Sequence, residues 1–469
     1  MSAGQPVFVG LDLGTSSARA FAVAADGSVL GRGSRPLRSR RDGIRHEQDP
    51  ATWWDAAAVA CRAALGEVAA DRVAGVAVCG TSSTVLLVDR DGRPRTPALM
   101  YDDGRARAQA RELGLAPSSG LAKLHWLLEH EPAGAAASGG LRLAHEPDVI
   151  TRRLAGHAVA ADASHALKSG YDPAAACWPP ALARALDGVL PDVVAPGAQV
   201  GEVCDEAAEQ TGLPVRAPII AGMTDGCAAQ IAAGALRAGD CNSVLGTTLV
   251  LKGCSAQRIE DPAHGVYSHR SPDGSWLPGG ASSSGAGVLA AGFPGRDLDA
   301  LGDLAAAHER TRVLAYPLVS RGERFPFVAP DAEAFMLGAP QGDGEHVAAL
   351  LQGMALVERL CLEQLRRLGA ATGGRLSLTG GATRSRHLCQ LRADALGRPV
   401  HLPEQSESAF GMAILAAAAA APDETLAAVA QRMSRTREVL EPRDALREHL
   451  DEQYARFVVE LRRRGWLPA

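Results

Sequence analysis

A chain of 469 residues, 46% hydrophobic and 22% charged, is too long for one hydrophobic core, so two large domains are expected. The net charge of -5 is small for this length and no dense basic stripe occurs, which argues against nucleic acid as a partner. The nine cysteines are scattered without a CxxC pair, which argues against zinc and against a disulfide framework. The three lysines are Lys123, Lys168 and Lys252, and none follows a glycine, so a Walker-type P-loop is excluded. The first residues run into an apolar strand without a basic leader or cleavage site, and no apolar run reaches membrane-spanning length. The expectation is a soluble, cytoplasmic protein with no membrane partner.

In chain order, Val7–Leu11 reads as a buried strand, Gly14-Thr15-Ser16-Ser17 as a turn, and Ala20–Val23 as a second strand. Asp26-Gly27 then signals a hairpin into Ser28–Gly31. Pro50–Ala69 carries a helix start at Asp49-Pro50 and apolar residues at helical spacing. The strand–turn–strand pattern returns at Val73–Cys79, Gly80-Thr81-Ser82-Ser83 and Val85–Val88. Short amphipathic helices are expected at Leu121–Glu129 and Val149–Ala155, then a strand at Pro218–Ala221 and a helix at Gly226–Leu236. Ser243–Leu245, Gly246-Thr247-Thr248 and Leu249–Lys252 give the pattern again. Beyond it come a long helix at Glu345–Leu368, a strand at Leu376–Thr379, a helix near Ser385–Leu396, a strand at Val400–Leu402 and a helix at Ala409–Ala421. Alternating strands and helices give an α/β class. The copies at Gly14 and Gly246 each open one half, which suggests related domains at 1–236 and 237–469 facing each other across a cleft.

Three segments carry chemistry. In Asp12-Leu13-Gly14-Thr15-Ser16-Ser17, small residues let the backbone approach phosphate oxygens, and turn amides and hydroxyls can donate to them. Asp12, at a strand end, can hold Mg²⁺ through water. In Gly222-Met223-Thr224-Asp225-Gly226, a strand ends and Asp225 stands at a helix start, a position that suits either a cap or a base for a hydroxyl. Gly380-Gly381-Ala382-Thr383-Arg384 turns from a strand into a helix.

Together these motifs resemble the FGGY carbohydrate kinases, in family order over roughly the whole chain. The resemblance implies a two-domain actin-like (ribonuclease H-like) ATPase fold with a nucleotide and sugar cleft between the domains. It implies ATP-dependent phosphorylation of a sugar, with Mg²⁺ as cofactor and Asp225 deprotonating the acceptor hydroxyl. Sugar contacts would come from Asp12, Ser16, Ser17, Ala18, Arg19 and Asp225. ATP contacts would come from Thr15, Gly246, Thr247, Thr248, Gly285, Gly380, Gly381, Ala382, Thr383 and Arg384. Ala409–Ala413 resembles the helix that closes the nucleotide pocket. The partners would be sugar and ATP alone, bound by a monomer or homodimer.

Most xylulose kinases carry a Gln-Met-His-like element where this chain has Cys79-Gly80-Thr81-Ser82-Ser83-Thr84. That loop, Tyr101–Arg105, Ala166–Pro173, Gly265–Arg270, Tyr316-Pro317-Leu318 and Gly322-Glu323-Arg324-Phe325-Pro326 look like the D-ribulose kinases of cyanobacteria and plants. The expectation is therefore D-ribulose to D-ribulose 5-phosphate, with D-xylulose or a pentitol as the alternative. Ser17 stands where relatives often have glycine. Asp103 and Arg105 either touch the sugar or form an ion pair beneath its loop. An actin-like ATPase that is not a kinase, or a sugar sensor, would not need Asp225 in this setting.

Overall fold

The computed structural model describes residues 4–130 and 140–468. Its contacts divide it into two compact units: Met1–Ala232 with His269–Asp273 and Glu407–Met433, and Ala233–Ser268 with Gly274–Ser406 and Ser434–Ala469.

The first unit is built on a six-stranded sheet in the order Gln199–Glu202, Pro218–Ile220, Val73–Gly80, Val7–Leu13, Ser17–Ala24, Val29–Pro36. Val7–Leu13 is buried along its whole length, as a near-continuous apolar run at the centre of a covered sheet should be. It pairs parallel with Val73–Gly80 and antiparallel with Ser17–Ala24. Pro218–Ile220 adds a third parallel strand.

The second unit repeats this order. Trp276–Ser282, Leu249–Gly253, Cys241–Leu245, Leu376–Thr379, Val400–Pro403 and Thr436–Leu440 follow one another. Cys241–Leu245, Leu376–Thr379 and Val400–Pro403 are the parallel core, and Leu249–Gly253 and Trp276–Ser282 the antiparallel flank. Each unit thus sends its first parallel strand through a Gly-Thr turn into an antiparallel neighbour. This is the two-domain actin-like α/β fold.

The copy at Gly80 is different. Val85–Val88 does not return along Val73–Gly80 but pairs with Leu99 and with Arg142–His145 in a separate five-stranded sheet. Its sequence likeness to the other two is local only, because a strand's partner is chosen by what it can bury, not by the turn before it.

The helix Ser408–Ala419 also departs from a single cut at 236/237. It is apolar nearly all round and packs on Val7–Leu13 and on the helix Asp225–Ala232. Small residues permit that closeness: a Cβ on Gly411 would lie 1.9 Å from the Ala228 carbonyl oxygen. Around the first sheet, the helix Ala51–Leu65 starts where Asp49 accepts the Ala51 amide at 3.0 Å and ends at Gly66. No helix among the described residues is long and apolar enough to cross a membrane.

Candidate active site

In the first unit, three parallel strands end side by side, and the expected catalytic residues sit at those ends. Asp12 is opposite Cys79 in register, and Gly80 bridges to Thr224, the residue before Asp225. Asp12 is buried. Burial first, and the Asp225 carboxylate second, raise its acid to about 6, against the pull of Arg19 and a Cys79 hydrogen bond. Two carboxylates that feel each other in a desolvated spot are poised for a cation or a proton. Arg19 reaches Asp12 at 3.9 Å from an exposed position.

Asp225 is the first residue of the helix Asp225–Ala232, and its Oδ1 accepts the Gly226 amide at 2.7 Å. Thr224 occupies the cap position, its carbonyl accepting the Cys227 and Ala228 amides. Ser164 Oγ accepts the Thr224 amide at 3.1 Å, and Ser408 Oγ donates to the Asp225 carbonyl at 3.1 Å. The carboxylate's backbone is therefore held from two sides.

The turn Gly14–Ser17 is closed by Gly14 N–H donating to Ser17 O at 3.0 Å. Thr15 O accepts from Gln48 Nε2 at 2.8 Å and from Ser39 Oγ at 3.2 Å, while Gln48 Oε1 accepts from the buried Trp53 Nε1 at 2.7 Å. The turn is fastened to the helix Ala51–Leu65 through one glutamine. Ser16 is exposed and Ser17 half-buried. Ala18 is buried and paired with Leu13 and Arg35 in the sheet, so its side chain faces the core.

Residues that sequence reasoning passed over brace this edge. Glu146 is fully buried, and its Oε2 accepts the Thr81 amide at 2.6 Å and the Thr81 hydroxyl at 2.7 Å. Its other oxygen has no hydrogen-bond partner among the described residues. Burial lifts its acid to about 8, although the Thr81 hydrogen bonds and His165 oppose that. His165 donates from Nδ1 to Asp162 at 2.7 Å and from Nε2 to the Gly80 carbonyl at 3.2 Å. Both partners accept, so the ring carries both protons; burial disfavours that charge, but Asp162 outweighs it and the acid rises to about 9. Asp103 and Arg105, both singled out in the sequence, form a bidentate ion pair, with Asp103 fully buried and also accepting the His46 amide at 2.7 Å. That arrangement ties two segments together.

In the second unit, Gly246 N–H donates to Thr248 O at 3.0 Å, the counterpart of the Gly14 turn. Gly380 follows Leu376–Thr379, whose Thr379 is in register with Val244 of the adjacent strand. Gly381–Arg384 forms a single 3₁₀ turn, in which Thr383 Oγ1 donates to Gly380 O at 2.8 Å, and Arg384 is exposed. Ser385 then caps the helix Arg386–Leu396 by accepting the Leu388 amide. Gly285 lies directly over the turn: a Cβ there would sit 2.4 Å from the Thr247 carbonyl oxygen. Gly246–Thr248, Gly285 and Gly380 therefore gather at one end of this sheet.

Residues 7–232 match the FGGY family of carbohydrate kinases, N-terminal domain, and residues 241–420 match its C-terminal domain. The chain belongs to the FGGY family of carbohydrate kinases. It is 33% identical over 459 residues to a protein named xylulose kinase from Streptomyces coelicolor, covering 92% of both chains. It is 26% identical over 453 residues to an apulose kinase from Pectobacterium atrosepticum, covering 87% of this chain and 89% of that one. Among solved structures, xylulose kinase from Rhodospirillum rubrum matches with a TM-score of 0.85 and 29% identity, over 97% of this chain and 98% of that one. The kinase is thus an ATP-dependent sugar kinase by family.

Proposed function

We propose that this kinase transfers the γ-phosphoryl group of ATP to a hydroxyl of a ketopentose, with Asp225 taking the hydroxyl proton. The observation that carries the reading is the placement of Asp12 and Asp225 at the ends of parallel strands on either side of Val73–Gly80, near enough that the Asp225 charge raises the pKa of Asp12. A sugar hydroxyl becomes a competent nucleophile as its proton passes to a positioned carboxylate. The helix behind Asp225 favours the anionic form that accepts this proton. Asp12, Arg19, and the hydroxyls and amides of Ser16 and Ser17 orient the sugar; Ala18 would contribute through its backbone. Thr15, Gly246, Thr247, Thr248 and Gly285 take the phosphates, and Gly380, Gly381, Ala382, Thr383 and Arg384 the adenosine.

Asp12 is also the residue that would hold Mg²⁺ through water. The donor set fits: Mg²⁺ is usually bound by one or two carboxylates, water and phosphate, and the buried Asp12 carboxylate, with the Asp225 charge acting on it, supplies that kind of oxygen donor. When bound, the ion neutralises phosphate charge.

D-xylulose is the better supported sugar, because relatives covering nearly the whole chain carry that name. D-ribulose is the second reading, favoured by the Cys79–Thr84 loop, which lacks the Gln-Met-His-like element. A coupled ADP-release assay with D-xylulose, D-ribulose and pentitols tests both. A tenfold preference in kcat/KM between the ketopentoses needs only ~1.4 kcal/mol, which one hydrogen bond at C3 can supply. Turnover of neither ketopentose, alongside good turnover of another sugar, would refute the substrate class.

A further inference from the structure

The segment Gly322–Pro326 has no task in the reading above, yet it contains a buried acid with an unusual number of donors. Glu323 is 2% exposed. Its Oε1 accepts the amides of Ser283 at 2.6 Å, Arg324 at 2.8 Å and Phe325 at 3.4 Å. Its Oε2 accepts the hydroxyls of Ser282 at 2.8 Å and Tyr316 at 2.6 Å. A carboxylate survives burial only with such company. Burial, and then the Glu323 charge, push the Tyr316 phenol well above its ordinary range, so it remains a donor.

The loop that Glu323 grips is the one that backs the Gly246–Thr248 turn. Ser284 O accepts the Leu249 amide at 2.8 Å, and the amides of Ala286 and Gly287 donate to Gly246 O at 2.9 Å and Thr247 O at 3.2 Å. Gly285 lies against Thr247 with no room for a side chain. The turn's shape therefore depends on the Ser282–Gly287 loop, and the loop's shape on Glu323.

We propose that Glu323 is a positioning residue for the nucleotide: it fixes the Ser282–Gly287 loop and, through it, the Gly246–Thr248 turn in its phosphate-receiving form. This rests on the reading that the turn takes the phosphates of ATP. A residue that merely stabilises the core would disturb both substrates alike. Glu323→Gln keeps the shape and leaves an oxygen for the three amides, but removes the charge and sets an NH₂ group against the two hydroxyls.

The test measures KM for ATP and for sugar separately, direct binding of Mg·ADP, and melting, in Glu323→Gln, Tyr316→Phe and Thr247→Ala. Glu323→Gln is expected to raise the KM for ATP and the Kd for Mg·ADP at least about fivefold, with the sugar KM within about twofold of normal. Tyr316→Phe should move the same way by less. If Thr247→Ala weakens Mg·ADP while Glu323→Gln changes both KM values in parallel, or neither, the proposal is overturned and the reading of the turn stands. If Thr247→Ala leaves Mg·ADP binding unchanged, the reading of the turn fails and takes the proposal with it. Should Glu323→Gln not fold, Tyr316→Phe decides: ATP-selective weakening supports the proposal, and an unselective or absent effect overturns it.

Discussion

Replacing Lys123 with methionine should make the stability gap to the wild type depend on pH in a direction the structure dictates. Lys123 is fully buried; its Nζ donates to Ser83 O at 2.8 Å and to Met100 O at 2.6 Å. Burial pulls the ammonium down from 10.5 to about 7, with Asp103 and Asp102 opposing and Arg105 adding to the fall. Between pH 7 and 10.5 the unfolded chain therefore binds more protons at this site than the native one. Stability from this group consequently rises with pH across that window, by at most about 1.4 kcal/mol per pH unit. The two lost carbonyl hydrogen bonds cost the variant a roughly constant amount. From pH 7.5 to 9.5 the wild type should gain about 2 kcal/mol relative to Lys123→Met, read from urea unfolding of both proteins at matched ionic strength. A gap that stays constant or narrows would refute the reasoning. The same lysine pins Ser83, a non-glycine residue with φ of +67°, so the variant should also loosen the loop beside Asp12.

Two further outcomes follow from buried charge. Asp12→Asn should lose turnover yet melt above the wild type at pH 8 in the presence of a chelator. The Asp12 acid is raised from 3.8 to about 6, so stability falls as pH rises through that window, and the variant recovers about 1–3 kcal/mol; a lower melting temperature would show that the carboxylate is stabilising. In the second unit, Arg392 and Glu358 are both buried and paired at 2.6 and 2.8 Å, with Arg392 also donating to Ser243 Oγ on the strand that leads to Gly246. Glu358→Leu alone should cost about 3–5 kcal/mol, while Glu358→Leu with Arg392→Leu should recover much of it. Equal losses in the single and double variants would show that the pair itself supplies the stability.

The parts legible in the sequence were those set by local chemistry. The Gly14 and Gly246 turns, the strand Leu376–Thr379 and the start of the helix at Asp225 all depend on residues adjacent in the chain. Their family order supplied the fold and the kinase reading. What local pattern could not reveal was which charges are buried. Glu146 looks like an ordinary first-turn acid beside Pro147, and nothing nearby announces that Thr81, 65 residues earlier, closes over it. His165, Lys123 and Glu323 are hidden for the same reason, because each takes partners from distant segments. The likeness of Val85–Val88 to the other hairpin strands does not extend to its partners, because pairing is a tertiary choice. The helix Ser408–Ala419 could not be assigned to a unit from chain order, since its small residues, not its position, set where it packs. The edge strand Thr436–Leu440 leaves little signal in the sequence, because it is mostly exposed and has no continuous apolar run.

The account rests most heavily on Asp225 as the group that takes the hydroxyl proton. Steady-state turnover of Asp225→Asn, with whichever ketopentose the wild type prefers, tests this directly when Mg·ADP binding and melting are measured on the same preparation. The account predicts that kcat falls by roughly 10²–10⁴-fold, the range expected for loss of a general base, while Mg·ADP binding and melting stay near wild type. Near-normal turnover by the folded variant would contradict it and remove Asp225 from the chemistry.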